Sequence, residues 1–192
     1  MNRAVASADD DDHDVLLLLD ACTLINLFAS RRERDILGAQ GQAVGIVNVV
    51  RRETAFVFRG GDGDDARERE PINLEPAIDA YLLHVITPTD AELDDFVDLT
   101  LRFKGDGEAM TIAIALARGW TIVTNDRKAI RLIANRIPVR SSLALIRTWS
   151  IKSGIDPESL RTVLRDIRTR GNYAPSIGHP LKDWWDGAAG DR

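Results

Sequence analysis

The chain has 192 residues, 44% of them hydrophobic, and a formal net charge of −5. This length and composition allow one sizeable core, so we expect one domain with extensions rather than two domains. The single cysteine, Cys22, excludes an intramolecular disulfide framework and cysteine-rich zinc sites. No segment has the pattern of a signal peptide or of a membrane span. We therefore expect a soluble protein of the cytoplasm that has no membrane partner.

Charge is distributed unevenly along the chain. Residues 1–14 contain one basic and five acidic residues, residues 15–126 eleven basic and nineteen acidic, and residues 127–192 thirteen basic and six acidic. An acidic body that joins a basic C-terminal third leaves nucleic acid open as a partner, although the total charge is negative. Residues 1–14 are too polar to pack, which predicts a disordered acidic tail.

The first half of the chain begins with a continuous aliphatic run at residues 15–19, which predicts a buried parallel strand. Helical spacing follows at residues 22–28, and an Arg-rich segment extends over residues 30–37. Residues 47–58 predict another helix, with Glu53 among apolar neighbours. Residues 59–71 contain almost no apolar side chains, so we interpret them as a flexible surface loop rather than a binding lid.

The second half alternates strands and helices. Residues 84–87, 120–124 and 137–139 predict short strands. A capping box at residues 89–92 begins a helix that runs to about residue 103. Residues 108–117 are apolar nearly all round, which predicts a buried helix, and residues 126–135 predict a further one. This alternation predicts a parallel α/β sandwich.

Residues 141–192 predict a helical C-terminal extension, with helices at residues 143–149 and from Asp156 onward and an irregular tail from Gly171. The second helix carries four arginines that we interpret as a solvated face rather than a phosphate track: Arg161, Arg165, Arg168 and Arg170. Trp184 and Trp185 have three open roles, namely to stack bases, to seal a homodimer or to cover the core. We favour covering the core.

Four carboxylates are candidates for one site: Asp20, Glu53, Glu108 and Asp126. Asp20 and Asp126 each follow a predicted strand, and ligands bind beyond the carboxyl ends of parallel strands. Converging acids repel one another, so such a cluster usually holds a divalent cation. Each acid has a simpler role as well: a helix cap for Asp20 and Asp126, a helix-dipole partner for Glu108, and a salt bridge to Arg51 or Arg52 for Glu53. Taken together, the acids favour the site.

Three motifs resemble those of PIN-domain ribonucleases. Residues 19–27, Leu-Asp-Ala-Cys-Thr-Leu-Ile-Asn-Leu, resemble the family's opening motif, in which a strand ends in Asp and a Leu-Ile pair follows. Residues 107–117 resemble its Gly-Glu-Ala helix, and residues 123–126 its strand-Thr-x-Asp turn. Glu53 falls where the family places an acid on a helix. Cys22 and Asn125 depart from the Ser or Thr and the Asp that are frequent there, and residues 59–71 and 141–192 exceed compact members.

The resemblance covers roughly residues 15–140 and implies a PIN-like nuclease domain there, a three-layer sandwich with a central parallel sheet flanked by helices. It further implies a Mg²⁺- or Mn²⁺-dependent endoribonuclease whose metal is held by Asp20, Glu108 and Asp126, with Glu53 as a further catalytic carboxylate. Thr124 is expected to orient a carboxylate, and Asp106 to reach the site. Arg127 and Lys128 are expected to contact the RNA substrate.

The resemblance also implies a biological setting, the toxin of a bacterial toxin-antitoxin pair with a protein antitoxin as partner. Two other classes stay open. One is a PIN fold that binds without catalysis, against which the presence of all four acids argues. The other is an aspartyl-phosphate domain with Asp20 as nucleophile. Cys22 argues against it, because it occupies the second position of the Asp-x-Asp pattern of such phosphatases.

Overall fold

The structure, a computed structural model, describes residues 15–54, 56–61, 65–100 and 105–190. The predicted acidic tail at residues 1–14 lies outside these ranges. Within them, no helix is both long enough and apolar enough to span a bilayer.

The elements alternate between strands and helices for most of the chain. The strands are β1 Val15–Leu19, β2 Ala43–Val47, β3 Phe56–Phe58, β4 Arg69–Pro71, β5 His84–Ile86, β6 Thr121–Val123 and β7 Val139–Arg140. The helices are α1 Ala21–Ala29, α2 Glu33–Gly38, α3 Asn48–Glu53, α4 Glu75–Asp79, α5 Asp90–Thr100, α6 Asp106–Arg118, α7 Arg127–Ile133, α8 Ser142–Ser153, α9 Pro157–Arg170 and α10 Lys182–Ala189.

Five strands form a parallel central sheet in the order β5-β2-β1-β6-β7. From β1 the chain builds outward through β2 to β5, and it then crosses back to place β6 on the other side of β1. The order of the strands therefore reverses between β1 and β6, whose ends are in register at Leu19 and Val123. Such a reversal opens a crevice at the carboxyl ends of the two strands.

Helices cover the sheet and bury its aliphatic strands. Leu17, Leu18 and Leu19 of β1 are fully buried, as expected for a strand that is covered on both faces. Around α6 pack α3, α5 and α7, while α1 packs against α2, α8 and α9. The α/β fold class and the flanked parallel sheet are confirmed, and the architecture is consistent with a PIN-like three-layer sandwich.

Three predicted segments differ in the structure. The helix predicted at residues 47–58 is wrong, because this stretch contains the end of β2, the short α3 and β3. The flexible loop predicted at residues 59–71 is also partly wrong, since β4 pairs antiparallel with β3. The tail predicted as irregular contains α10, in which Trp185 is only 1% exposed, so covering the core is the role the structure gives this residue.

Candidate active site

Asp20 lies at the carboxyl end of β1 and is only 5% exposed. Its Oδ1 accepts a hydrogen bond from the Thr23 amide at 2.6 Å, which caps α1, and its Oδ2 accepts one from the Thr124 hydroxyl at 2.5 Å. Burial raises the pKa of Asp20, these hydrogen bonds lower it, and the charge of Asp126 raises it further. The net direction is upward, because the loss of water around the carboxylate outweighs these hydrogen bonds.

Asp126 lies at the adjacent strand end and caps α7. Its Oδ1 accepts hydrogen bonds from the amides of Lys128 at 2.6 Å and Ala129 at 2.8 Å. The Asp126 amide donates to the Thr124 hydroxyl at 3.0 Å, and that hydroxyl donates to Asp20. Thr124 is 1% exposed and thereby links the two acids, which is the contact expected of a residue that orients a carboxylate.

Glu108 lies in the first turn of α6, with its carboxyl group next to that of Asp126. Its pKa is raised to about 7, first by burial and then by the charges of Asp126 and Asp20. Lys128 opposes the rise. Glu108 Oε1 is buried, and within the described residues it has no hydrogen-bond partner. A buried oxygen of this kind destabilises the protein unless a proton or a cation satisfies it.

Glu53 is the last residue of α3 and is exposed. Its Oε1 accepts a hydrogen bond of 3.0 Å from the amide of Gly107, which lies in the first turn of α6. The absence of a side chain at Gly107 makes this contact possible, because a Cβ there would lie 2.2 Å from Glu53 Oε2. The alternative salt bridge is not formed with Arg51, which pairs with Glu75 instead.

Cys22 lies within electrostatic reach of the four acids. Burial of its sulfur is the largest cause that raises the pKa of this thiol, which reaches about 12, although part of the residue is open to solvent. Four charges add to the rise, in the order Asp20, Glu108, Asp126 and Glu53. One side chain therefore lies within electrostatic reach of all the predicted acids, and its thiol stays protonated at neutral pH.

The chemistry of these donors fits Mg²⁺ or Mn²⁺. Carboxylate oxygens are hard ligands, and the unpartnered Oε1 of Glu108 together with its raised pKa marks a place where a cation would relieve both repulsion and desolvation. As they stand, however, no three Asp, Glu, His or Cys side chains in the described part of the chain are arranged as a complete ion site. A cation would therefore compete for oxygens that now accept hydrogen bonds from backbone amides.

Other predicted site residues lie around this cluster. Asp106 is the exposed first residue of α6, and its expected reach into the site stays a prediction. Arg127 and Lys128 are exposed in the first turn of α7, directly after Asp126. Arg127 also lines a shallow depression with Ser176, Ile177 and Gly178 of the C-terminal segment. Their predicted contact with RNA remains untested.

A polar network ties the C-terminal segment to the loop between Thr124 and Asp126. The Asn125 amide nitrogen donates to Ser142 Oγ at 2.7 Å, and Asn26 donates to the same oxygen at 3.1 Å. Tyr173 donates its hydroxyl to Asn125 Oδ1 at 3.3 Å. Asn125 is thus a residue that joins the site loop to α8 and to the segment after α9.

Sequence reasoning missed two of these features. The first is the hydrogen bond that the Gly107 amide donates to Glu53. The glycine before Glu108 is a local signal for a special position, but the sequence does not identify its partner, because Glu53 lies 54 positions away. The partners of Asn125 had no signal, because Ser142 and Tyr173 lie 17 and 48 positions further along the chain.

Comparison with known proteins adds no family assignment, since no protein-family model and no curated protein matches this chain.

Proposed function

We propose that this protein is a Mg²⁺- or Mn²⁺-dependent endoribonuclease. The observation that carries the proposal is the proximity of Glu108, Asp126 and Asp20 at the reversal of strand order, with a buried oxygen of Glu108 that has no partner among the described residues. Acids are seldom gathered at such cost to stability without a function. The resemblance of the surrounding motifs to PIN-domain ribonucleases indicates which function.

Asp20, Glu108 and Asp126 would hold the metal, and Glu53 would be a fourth ligand or would orient the attacking water. When bound, such a metal lowers the pKa of water and offsets charge on the scissile phosphate. The Thr124 hydroxyl donates to the carboxylate of Asp20 and accepts from the backbone amide of Asp126, so it fixes the Asp20 carboxylate relative to the backbone of Asp126. Because buried ligands that are already oriented lose little entropy on binding, this link favours metal affinity.

Hydrolysis joins the water oxygen to phosphorus and breaks the bond from phosphorus to O3′. The water loses a proton, the departing O3′ gains one, and the products carry a 5′-phosphate and a 3′-hydroxyl group. Arg127 and Lys128, at the rim beside Asp126, are the residues proposed to contact the RNA backbone. The reaction would take place in the cytoplasm.

The proposal is tested with purified protein and a broad panel of labelled RNAs, with Mg²⁺, Mn²⁺ or a chelator. We expect metal-dependent cleavage that is abolished in Asp20→Asn and in Asp126→Asn, because Asn keeps an oxygen for the helix cap but loses the charge. Asp79→Asn, at an exposed position of α4, is the matched control and should cleave like the wild type.

Two results would contradict the proposal. If calorimetry detects no binding of either metal and no RNA of the panel is cut, the protein is not this enzyme. RNA binding without cleavage would instead support a PIN-like binding module. If cleavage is found, a growth arrest on expression that a co-expressed neighbouring gene product relieves would assign the protein to toxin-antitoxin pairs.

A further inference from the structure

The hairpin formed by β3 and β4 has two unlike faces. Its register pairs Phe56 with Pro71, Val57 with Glu70 and Phe58 with Arg69. Because side chains alternate between the faces of a strand, Val57 and Glu70 share one face. Val57 is 3% exposed, and Glu70 accepts a hydrogen bond of 2.9 Å from Arg170 of α9. The solvated position predicted for Arg170 is wrong, since this residue is 3% exposed. This face attaches the hairpin to the body of the protein.

The opposite face, which we call the Phe-Arg face, carries Phe56, Phe58, Arg67 and Arg69. The two rings pack edge to face with centroids 5.8 Å apart. The guanidinium of Arg69 lies 4.2 Å from the centroid of Phe56, and that of Arg67 lies 5.4 Å from the centroid of Phe58. Both arginines are exposed, and both rings are partly exposed. Each guanidinium group is therefore held against a ring with its other side toward solvent.

The two arginines of the Phe-Arg face differ from their neighbour Arg59 in their ion pairs. Arg59 forms ion pairs with Asp65 at 2.6 Å and Glu68 at 2.9 Å. Among the residues that the structure describes, neither Arg67 nor Arg69 has a carboxylate partner at ion-pair distance. An aromatic ring lowers the entropy cost of placing a guanidinium group but leaves its positive charge available to an anion.

We propose that the Phe-Arg face binds single-stranded RNA and guides it to the carboxylate site. Unpaired bases stack on guanidinium planes and on aromatic rings, and the N–H edges of arginine bind phosphates. The Phe-Arg face offers two rings for the bases and two guanidinium groups for the phosphates, so it complements both parts of a single strand. The choice of RNA as the polymer rests on the proposed function.

The position of the face agrees with this role. Phe56 follows Glu53 by three residues, so their Cα atoms are at most about 11 Å apart. That separation corresponds to about three stacked nucleotides at about 3.4 Å each. Three nucleotides of one strand are therefore long enough to reach from Phe56 to Glu53. The acidic site repels phosphates, and the two arginines supply attraction next to it.

The test measures binding of a labelled 12-nucleotide single-stranded RNA to the full chain in EDTA, where metal-dependent cleavage does not occur. In the double variant Arg67→Gln/Arg69→Gln, we expect the negative slope of log K against log[salt], where K is the binding constant, to become shallower by about 1.4. Each phosphate contact to a single strand contributes about 0.7 to that slope. Relative to the wild type, the variant should therefore lose about 25-fold more affinity at 0.1 M salt than at 1 M salt. Arg34→Gln/Arg136→Gln removes the same charge at two exposed positions and should bind like the wild type.

The aromatic rings are tested separately. Phe56→Leu/Phe58→Leu should weaken binding about tenfold or more at every salt concentration, with the slope unchanged, because stacking is lost and charge is not. Circular dichroism and thermal unfolding check that the variants fold. If the phenylalanine variant does not fold, the arginine variant decides alone.

The outcomes separate this inference from the proposed function. Unchanged affinity and slope in the arginine variant overturn the inference, even if the wild type cleaves RNA. Equal binding of the same RNA as a duplex overturns the assignment to single strands. Loss of binding in the arginine variant, combined with a wild type that cuts no RNA, supports the RNA-binding face and rejects the nuclease.

Discussion

Replacing Gly107 by Ala tests whether the contact between α3 and α6 organises the site. The new Cβ would lie 2.2 Å from Glu53 Oε2 and 3.1 Å from Val50 Cγ2, so the carboxylate must move away and its 3.0 Å hydrogen bond from the Gly107 amide is lost. Glu53 is exposed and its end is flexible, so the loss is about 1 kcal/mol. Greater helix propensity returns about 0.5–1 kcal/mol. Stability should therefore change by less than about 1 kcal/mol.

Activity should respond much more than stability. Displacing a carboxylate that binds metal or water typically lowers affinity or activity about 10–100-fold. Urea unfolding gives the free energy of unfolding, calorimetry gives the metal affinity, and cleavage of labelled RNA gives the rate. Gly105→Ala is the matched control, because a Cβ at Gly105 meets no atom within 4 Å.

A double-mutant cycle decides the cause. In a Glu53→Gln background, Gly107→Ala should have little further effect on the rate, because the carboxylate that it displaces is already neutral. The reasoning is refuted if Gly107→Ala cleaves RNA at the wild-type rate while Glu53→Gln does not. The same holds if the effects of the two substitutions multiply.

Three further predictions follow from the site and its supports. First, the pKa of Glu108 is raised to about 7, so the metal-free protein should lose stability as pH rises from about 4.5 to about 7, because the folded state then holds a proton that the unfolded state has released. Thermal unfolding should show this slope in EDTA, reduced in Glu108→Gln and offset by Mn²⁺. Second, Thr124→Val removes the hydroxyl between Asp20 and Asp126 and should lower metal affinity in calorimetry by about 10–100-fold, whereas Thr124→Ser should retain it. Third, Tyr173→Phe removes the hydrogen bond to Asn125 and should reduce the free energy of unfolding by about 1 kcal/mol in urea. Tyr81→Phe should not, since Tyr81 is 83% exposed.

The elements around the site were predictable because their signals are local. An unbroken aliphatic run predicted β1, and the acid that follows it predicted both a cap and a ligand. The structure shows the cap at Asp20 and at Asp126. The capping box before α5 is also confirmed, with the Thr89 amide bonded to Glu92 at 2.8 Å. These features need only neighbours within four positions, so a single sequence contains them.

The hairpin and the C-terminal helix depend on distant partners. All three residues of β4 are exposed, and its sequence has no alternation of apolar and polar residues. Glu70 of β4 is held by Arg170, which lies 100 positions further along the chain. The strand β2 escaped prediction, because only the single polar residue Asn48 separates its apolar run from Val49 and Val50 of α3. In α10, burial of Trp185 follows from packing on α9 and on Tyr173, whose ring lies 6.3 Å away.

The two interpretations of Asp20 and Asp126 turn out to be compatible. A capping carboxylate uses its oxygens for backbone amides, and Asp126 places both of its amide bonds on Oδ1 alone. Its second oxygen is therefore not needed for the cap and can serve the pair with Glu108. The cap orients the carboxylate by means of the backbone, which does not depend on any bound ion.

This arrangement explains why mutual repulsion among the acids does not disperse them: α1 and α7 fix two of the carboxylates, and the amide of Gly107 fixes a third. Among the four acids, Glu108 is the one for which the described part of the chain shows a buried oxygen without a partner, so it is the ligand whose affinity for a proton should report most directly on metal binding.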